Sequence, residues 1–297
     1  MERKDIAVIG ASVAGLQAAL TLGRARRSVV LFDDGQPRNR AASHVHNFLG
    51  AEDLAPSELL AVGRRQVAEY GVALRETRVS EVAVDDDGFV VDGEPVRAVV
   101  LATGLWDELP DVPGVVEGWG QSVVACPHCH GWEVRDRPLV QLGLRGAPDR
   151  SVARALLLSR WSDDVVLCTD GDEPTDAHRV QLARAGVSLR TERVAALSAG
   201  EHETQVALKD GSELQAARVF AVVRQHQQSD LAERLGCQVT DGAVVADDGG
   251  RTTVPGVYAV GTAASPALLA IGAAGHASTA AVAVHGDLLE LDLGGRW

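Results

Sequence analysis

No apolar run in this chain of 297 residues reaches the length of a membrane span; the best candidate, Ala263 to Val284, is interrupted by Pro266, His276 and several glycines. Positive charge is in short supply. Lys and Arg total 28 against 41 Asp and Glu, a net charge of −13, which argues against nucleic-acid and anionic-membrane partners because both would be repelled. Cysteine is scarce too: there are four, and only Cys126 and Cys129 are close in sequence. A second Cys-x-x-Cys, a common complement of a structural zinc site, is missing. Cys126, His128, Cys129 and His130 can each ligate zinc, but neighbours in one short loop do not converge easily on a tetrahedron, so no metal is expected. Low-complexity segments and short repeats are also lacking. The charged start, Met1 to Asp5, leads straight into a strand with no signal-peptide pattern ahead of it, and the expected compartment is the cytoplasm. Cysteines stay reduced there unless they are catalytic or bind metal, and Cys168 and Cys237 read as small buried hydrophobes. Hydrophobic residues are plentiful, 46%, and with this length they support a large core and two domains.

Asp5 to Gly10 reads as a short buried strand, Val13 to Ala25 as a helix, and Ser28 to Phe32 as a second strand closed by Asp33-Asp34-Gly35. This strand, glycine turn, helix and strand form the dinucleotide-binding arrangement. A helix over Ser57 to Tyr70 follows, then strands over Thr77 to Val84, Gly88 to Val91 and Val96 to Leu101, ending at Ala102-Thr103-Gly104. A Pro/Gly-rich connector, Leu109 to Gly114, marks a boundary. Beyond it the pattern restarts with a strand at Leu139 to Leu144, a helix at Ser151 to Trp161, a strand at Asp164 to Cys168 and a helix at Val180 to Ala185. Strands over Arg193 to Leu197, Gln205 to Leu208 and Val219 to Val223 complete it. After Asp247-Asp248-Gly249-Gly250, Val257 to Gly261 reads as a strand and Ala267 to Leu289 mostly as helix. These last two elements have no unit of their own and are expected to complete the first domain. The expected fold class is α/β with two Rossmann-like, doubly wound domains, residues 1–114 with 247–297 and residues 115–246.

The first loop runs Gly10-Ala11-Ser12-Val13-Ala14-Gly15. In a Gly-x-Gly-x-x-Gly turn the first glycine makes the tight bend, the second admits a pyrophosphate, and the third lets helix and strand pack closely. Gly10 and Gly15 fit; Ser12 takes the second place, with a hydroxyl able to donate to phosphate. Asp33, at the end of the second strand, is placed for a ribose hydroxyl. In the middle of the chain stands Cys126-Pro127-His128-Cys129-His130. Two cysteines at this spacing close a disulfide with little backbone movement, and beside a βαβ pattern they read as a redox pair.

The order of pieces resembles the low-molecular-weight thioredoxin reductase family of FAD-dependent disulfide oxidoreductases over nearly the whole chain. The pieces are the Gly10–Gly15 loop with Asp33, Asn47-Phe48-Leu49-Gly50, Ala102-Thr103-Gly104, the Cys-x-x-Cys, and Tyr258-Ala259-Val260-Gly261 before a small-residue helix. The resemblance implies a CxxC-bearing domain inserted into an FAD domain, and a homodimer. It implies FAD held by Gly10, Ser12, Ala14, Gly15, Asp33, Asn47, Ala102, Thr103, Gly104, Gly261 and Thr262. It also implies that Cys126 forms the mixed disulfide and that Cys129 faces the isoalloxazine. His130 stands where the family usually has an aspartate that handles the dithiol proton, and a histidine titrating near neutral pH can do this work. His44, His46 and His276 lie near these pieces without an assigned role.

The chain departs from the family in two regions. Thr262 replaces a ribityl-contacting aspartate, and Leu268-Leu269 replaces an Arg-Gln pair. In the second loop, Gly146-Ala147-Pro148-Asp149-Arg150-Ser151, proline stands where a glycine admits pyrophosphate. Thr169-Asp170-Gly171-Asp172-Glu173 replaces the family's His-Arg-Arg element for the 2′-phosphate of NADPH. NADPH is therefore not expected as a cofactor. The pattern is similar to that of NADPH-independent dithiol oxidases of the gliotoxin and holomycin type. The expected function is an FAD-dependent dithiol oxidase acting through Cys126 and Cys129 on a small-molecule dithiol, with oxygen as acceptor. The alternatives are a thioredoxin-type reductase fed by NADPH or ferredoxin, and a non-enzymatic thiol or flavin redox sensor.

Overall fold

Ile6, Ala7 and Val8 have no solvent exposure, as a strand covered on both faces requires. They belong to β1 (Lys4–Ile9), the centre of the first of two compact units in the computed structural model. The structure describes residues 3–200 and 203–297; Met1 and Glu2 of the charged start, and Glu201 and His202, lie outside them. The first unit takes residues up to Arg40, Asn47–Trp106 and Gln225–Trp297, and the second takes Ala41–His46 and Asp107–Arg224.

In the first unit β1 is followed by α1 (Val13–Arg24), β2 (Val29–Phe32), α2 (Pro56–Glu69), β3 (Ala73–Arg75), β4 (Val82–Asp85), β5 (Gly88–Val91) and β6 (Glu94–Leu101). The sheet order is β3-β2-β1-β6-β5-β4. The eight-residue β6 divides its outer edge: Glu94–Val96 pair antiparallel with β5, and Val99–Leu101 pair parallel with the strand Val257–Ala259. The chain leaves β1 for β2 on one side and returns to β6 on the other. Such a reversal opens a crevice at the carboxyl ends of the strands, where ligands of doubly wound sheets bind. One face of the sheet packs on α1 and the C-terminal helix Ala270–Asp292 through Leu16, Leu22, Ala277 and Val284. The other packs on Phe89, Leu231, Ala232, Cys237 and Val244.

The second unit has a five-stranded parallel sheet in the order Ser188–Arg190, Val165–Cys168, Leu139–Leu142, Arg218–Ala221, Val123–Val124. A three-stranded antiparallel sheet, Val194–Ala199, Thr204–Leu208 and Glu213–Ala216, packs beside it through Val194, Val206 and Leu208. Among the described residues no helix is long and apolar enough to cross a membrane.

Several elements differ from the sequence expectation. Thr77 to Val84 is not one strand. The Ser80 and Glu81 N–H groups donate to the Asp92 carboxylate instead of to a ladder, and the strand begins only at Val82. The helix expected at Val180 to Ala185 begins at Asp176, because the Thr175 hydroxyl accepts the His178 N–H at 3.2 Å and caps it. Pro148 does not sit in a loop but opens the helix Pro148–Leu158, where its missing N–H costs nothing. The strand Glu213–Ala216 has no counterpart in the sequence expectation. The unit boundaries also shift. Residues 225–246 go with the first unit, since Leu231, Ala232, Cys237 and Val244 complete its core, and residues 107–114 go with the second, where Val112 is buried beside Val123.

Candidate functional site

In the first unit the expected cofactor residues gather at the carboxyl ends of β1, β2, β6 and the strand Val257–Ala259. Gly10 leaves β1 at φ 103°, a conformation that only glycine adopts at ease, and a Cβ there would lie 2.4 Å from the Ala102 carbonyl oxygen. A Cβ on Gly15 would lie 1.7 Å from the Gly10 carbonyl oxygen, so the loop closes on its helix only without a side chain. Gly104 approaches the Thr262 hydroxyl, and Gly261 approaches Ala14. These contacts bring Gly10, Ala14, Gly15, Ala102, Gly104, Gly261 and Thr262 together, with Thr103 between its neighbours. Asn47 is exposed on its own loop at φ 60°.

The start of α1 is open to an anion. Ser12 occupies the N-cap, its side chain makes no capping hydrogen bond, and the first turn holds no acidic residue. The free N–H groups and the positive helix end therefore face the loop. Asp33 is buried at the end of β2; one oxygen accepts the Gly35 N–H at 3.1 Å and the other pairs with Arg64. Sequence reading missed Arg64, which no motif marks. It also left His276 without a role: its Nδ1 accepts the Gly261 N–H at 3.2 Å, and burial holds its pKa below the ordinary value. This cradle fits the diphosphate and ribose of FAD.

The equivalent loop of the second unit is closed. The Gly146 N–H donates to Asp172 Oδ2 at 2.7 Å, so an internal carboxylate holds the group that a phosphate would need. Asp149 stands in the first turn of Pro148–Leu158 and pairs with His178 at 3.1 Å. The Ser151 hydroxyl is engaged as well, accepting from Leu144 N at 2.9 Å and donating to the Ala147 carbonyl at 3.0 Å.

The cysteine pair lies in the same unit. The parallel strand Val123–Val124 delivers the chain to Cys126, which caps a one-turn helix, Pro127–His130, carrying Cys129. Cys126 and Cys129 are joined as a disulfide with Cα atoms 5.3 Å apart. Proline at the first helical position sets the turn, and the Cys129 and His130 N–H groups both donate to the Cys126 carbonyl at 3.2 Å. Gly131 packs against Trp161, whose ring meets His128 edge-on at 5.3 Å. Cys168 and Cys237 are buried free thiols, and burial pushes Cys168 up to about 12, which keeps it protonated and unreactive.

The sequence predicts a histidine titrating near neutral pH at His130, and its burial in the packed unit lowers its pKa instead. Burial pushes its imidazole down to about 4; the Arg218 charge and His46 act in the same direction, and Glu133 opposes them. The ring is thus a neutral base across the physiological range. An unfolded histidine titrates near 6.5. The unfolded chain therefore binds the extra proton first, and this site's contribution to stability falls as pH drops from about 6.5 toward 4. In an NMR titration of the oxidised protein the His130 ring is expected to protonate at about pH 4. A midpoint at or above 6.5 would show that the ring is not desolvated.

A dinucleotide cradle and a cysteine pair that closes as a disulfide define a nucleotide-dependent thiol redox protein. The chain belongs to the pyridine nucleotide-disulphide oxidoreductase family, whose model matches residues 4–285. The crystal structure of HlmI superposes with a TM-score of 0.91 at 41% identity, covering 98% of this chain and 94% of that one. The oxidoreductase from Agrobacterium tumefaciens gives 0.90 at 36% identity, covering 97% and 99%. A protein of Arthroderma benhamiae named probable thioredoxin reductase is 30% identical over 303 residues, 88% of this chain and 74% of its own length. Within the family the protein is of the low-molecular-weight thioredoxin reductase type, an FAD-dependent disulfide oxidoreductase with a Cys-x-x-Cys at 126–129.

Proposed function

We propose that the protein is a dithiol oxidase, closing a disulfide in a small-molecule dithiol with oxygen as the electron acceptor. The contrast between its two nucleotide loops carries this reading. The loop at Gly10 leaves helix N–H groups free and free of acidic neighbours, while the loop at Gly146 gives its N–H to Asp172 and sets Asp149 in the first turn. Thr169 to Glu173 adds carboxylates where a 2′-phosphate would need positive charge. An enzyme that keeps the flavin cradle without a pyridine-nucleotide cradle takes its electrons from the thiol side.

Gly10, Ser12, Ala14, Gly15, Asp33, Asn47, Ala102, Thr103, Gly104, Gly261 and Thr262 would hold FAD, and the bound flavin supplies the two-electron chemistry that links thiols to oxygen. The thiol steps belong to the protein. A substrate thiolate attacks the Cys126 sulfur, and the Cys129 thiolate leaves. The second substrate thiolate attacks the substrate sulfur of this mixed disulfide, which releases the substrate disulfide and the Cys126 thiolate. The His130 ring, neutral and with no side-chain hydrogen bond among the described residues, takes the thiol proton. With dithiothreitol as substrate in air, oxygen should be consumed and peroxide should appear in step with disulfide. A protein that binds FAD yet consumes no oxygen in the presence of dithiols would overturn the reading.

A second reading is a thioredoxin-type reductase, favoured by the name of the Arthroderma benhamiae relative. It requires a pyridine nucleotide or ferredoxin to deliver electrons, and so it parts from the first reading in the response to NADPH.

A further inference from the structure

Asp33 is only 9% exposed, and a carboxylate so enclosed needs a partner charge. That partner is Arg64, on α2. Two features describe how this arginine is held. The preceding residue is Gly63, where a Cβ would lie 2.9 Å from Leu16 Cδ1, so this turn of α2 closes tightly on the helix that starts at the dinucleotide loop. In addition, Arg64 Nε is buried without a hydrogen-bond partner. A buried donor left unmatched is unfavourable, and the same guanidinium is paired with Asp33. The lone pairs can be counted. An ionised carboxylate accepts about four hydrogen bonds. Gly35 N–H and Arg64 take two of them at Asp33, which leaves two, the number a ribose diol requires.

We propose that Arg64 is a positioning residue for FAD. It holds the Asp33 carboxylate in place with two acceptor sites open for the ribose hydroxyls. The proposal rests on the assignment of the first unit as the FAD cradle. Arg64 acts through Asp33, its ion-pair partner.

The test is FAD affinity, read by diluting the holoenzyme and following the fluorescence of released FAD. Arg64→Met should weaken binding at least about tenfold, the scale of one charge-assisted hydrogen bond. Arg64→Lys, which keeps the charge without the planar fork, should recover part of the loss. In an Asp33→Asn background, Arg64→Met should change affinity less than about twofold, because its partner is already neutral. Circular dichroism of each apoprotein reports whether it folds, and Arg64→Lys serves if the methionine variant does not. Wild-type affinity in Arg64→Met would overturn the proposal. An undiminished tenfold loss in the Asp33→Asn background would overturn it too, by placing the effect outside Asp33. If the wild-type protein holds no FAD, the cradle assignment itself fails and takes the proposal with it.

Discussion

Cys126→Ser and Cys129→Ser are each expected to lower dithiol oxidation by about a thousandfold or more, the scale of loss when a residue that carries the covalent chemistry is removed. The disulfide between these two sulfurs is the only one among the described residues, and the other two thiols cannot replace either partner. Cys168 is fully enclosed with its pKa raised by burial, and Cys237 is buried against the Thr252 hydroxyl at 3.4 Å. With one cysteine gone, a substrate thiol has no disulfide to attack. The single remaining thiol cannot accept two electrons and return to a closed state. Both variants should fold and keep FAD, because the cradle residues belong to the first unit and the cysteines to the second. The check is turnover of dithiothreitol under air, with FAD content measured by absorbance on the same samples. Full turnover in either variant would remove Cys126–Cys129 as the redox centre.

NADPH is expected to leave the bound flavin oxidised, and a small dithiol is expected to bleach it. Binding NADPH at the second unit would require the Gly146 N–H to be freed from Asp172 and a phosphate to be set beside Asp149. Losing a charge-assisted contact and adding a like charge costs several kcal/mol, so affinity should lie at least about a hundredfold below that of an intact site. The experiment is anaerobic mixing. Excess NADPH at micromolar to millimolar concentration should not change the flavin spectrum, and dithiothreitol should remove the visible bands. Admission of air should restore them with formation of peroxide. Rapid bleaching by micromolar NADPH would return the protein to the reductases. Asp172→Asn separates the two obstacles, for it frees Gly146 of a charged acceptor and leaves Asp149 in the first turn. If it alone conferred NADPH reduction, the Asp172 carboxylate rather than Asp149 would be the barrier.

Periodicity and glycine placement were enough to read the first nucleotide unit. Buried apolar strands, a small-residue helix and a positive-φ glycine are local features, so β1, α1, β2 and the Gly10 turn were legible residue by residue. The Cys-x-x-Cys was legible for the same reason, because its spacing alone brings the two sulfurs within bonding reach. The family, too, followed from the order of local pieces.

What the sequence could not decide was set by groups far apart in the chain. Asp33 and Arg64 are 31 positions apart, Gly146 and Asp172 are 26, and Gly261 and His276 are 15. No local pattern encodes such pairs, because each forms only when helices and strands pack. The pKa of His130 belongs to the same class. A histidine after a cysteine carries no mark of its burial, and only the packed unit, with Arg218 arriving on a distant strand, withdraws it from water and lowers its affinity for a proton. The unit boundaries were decided in the same way. Leu231, Cys237 and Val244 look alike to either domain in sequence, and the apolar face available to cover them assigned them to the first. Local chemistry thus determined which reactive groups the chain carries. Tertiary packing determined which of them are charged, which are enclosed, and which nucleotide loop is left open, because desolvation and long-range pairing exist only once the fold has formed.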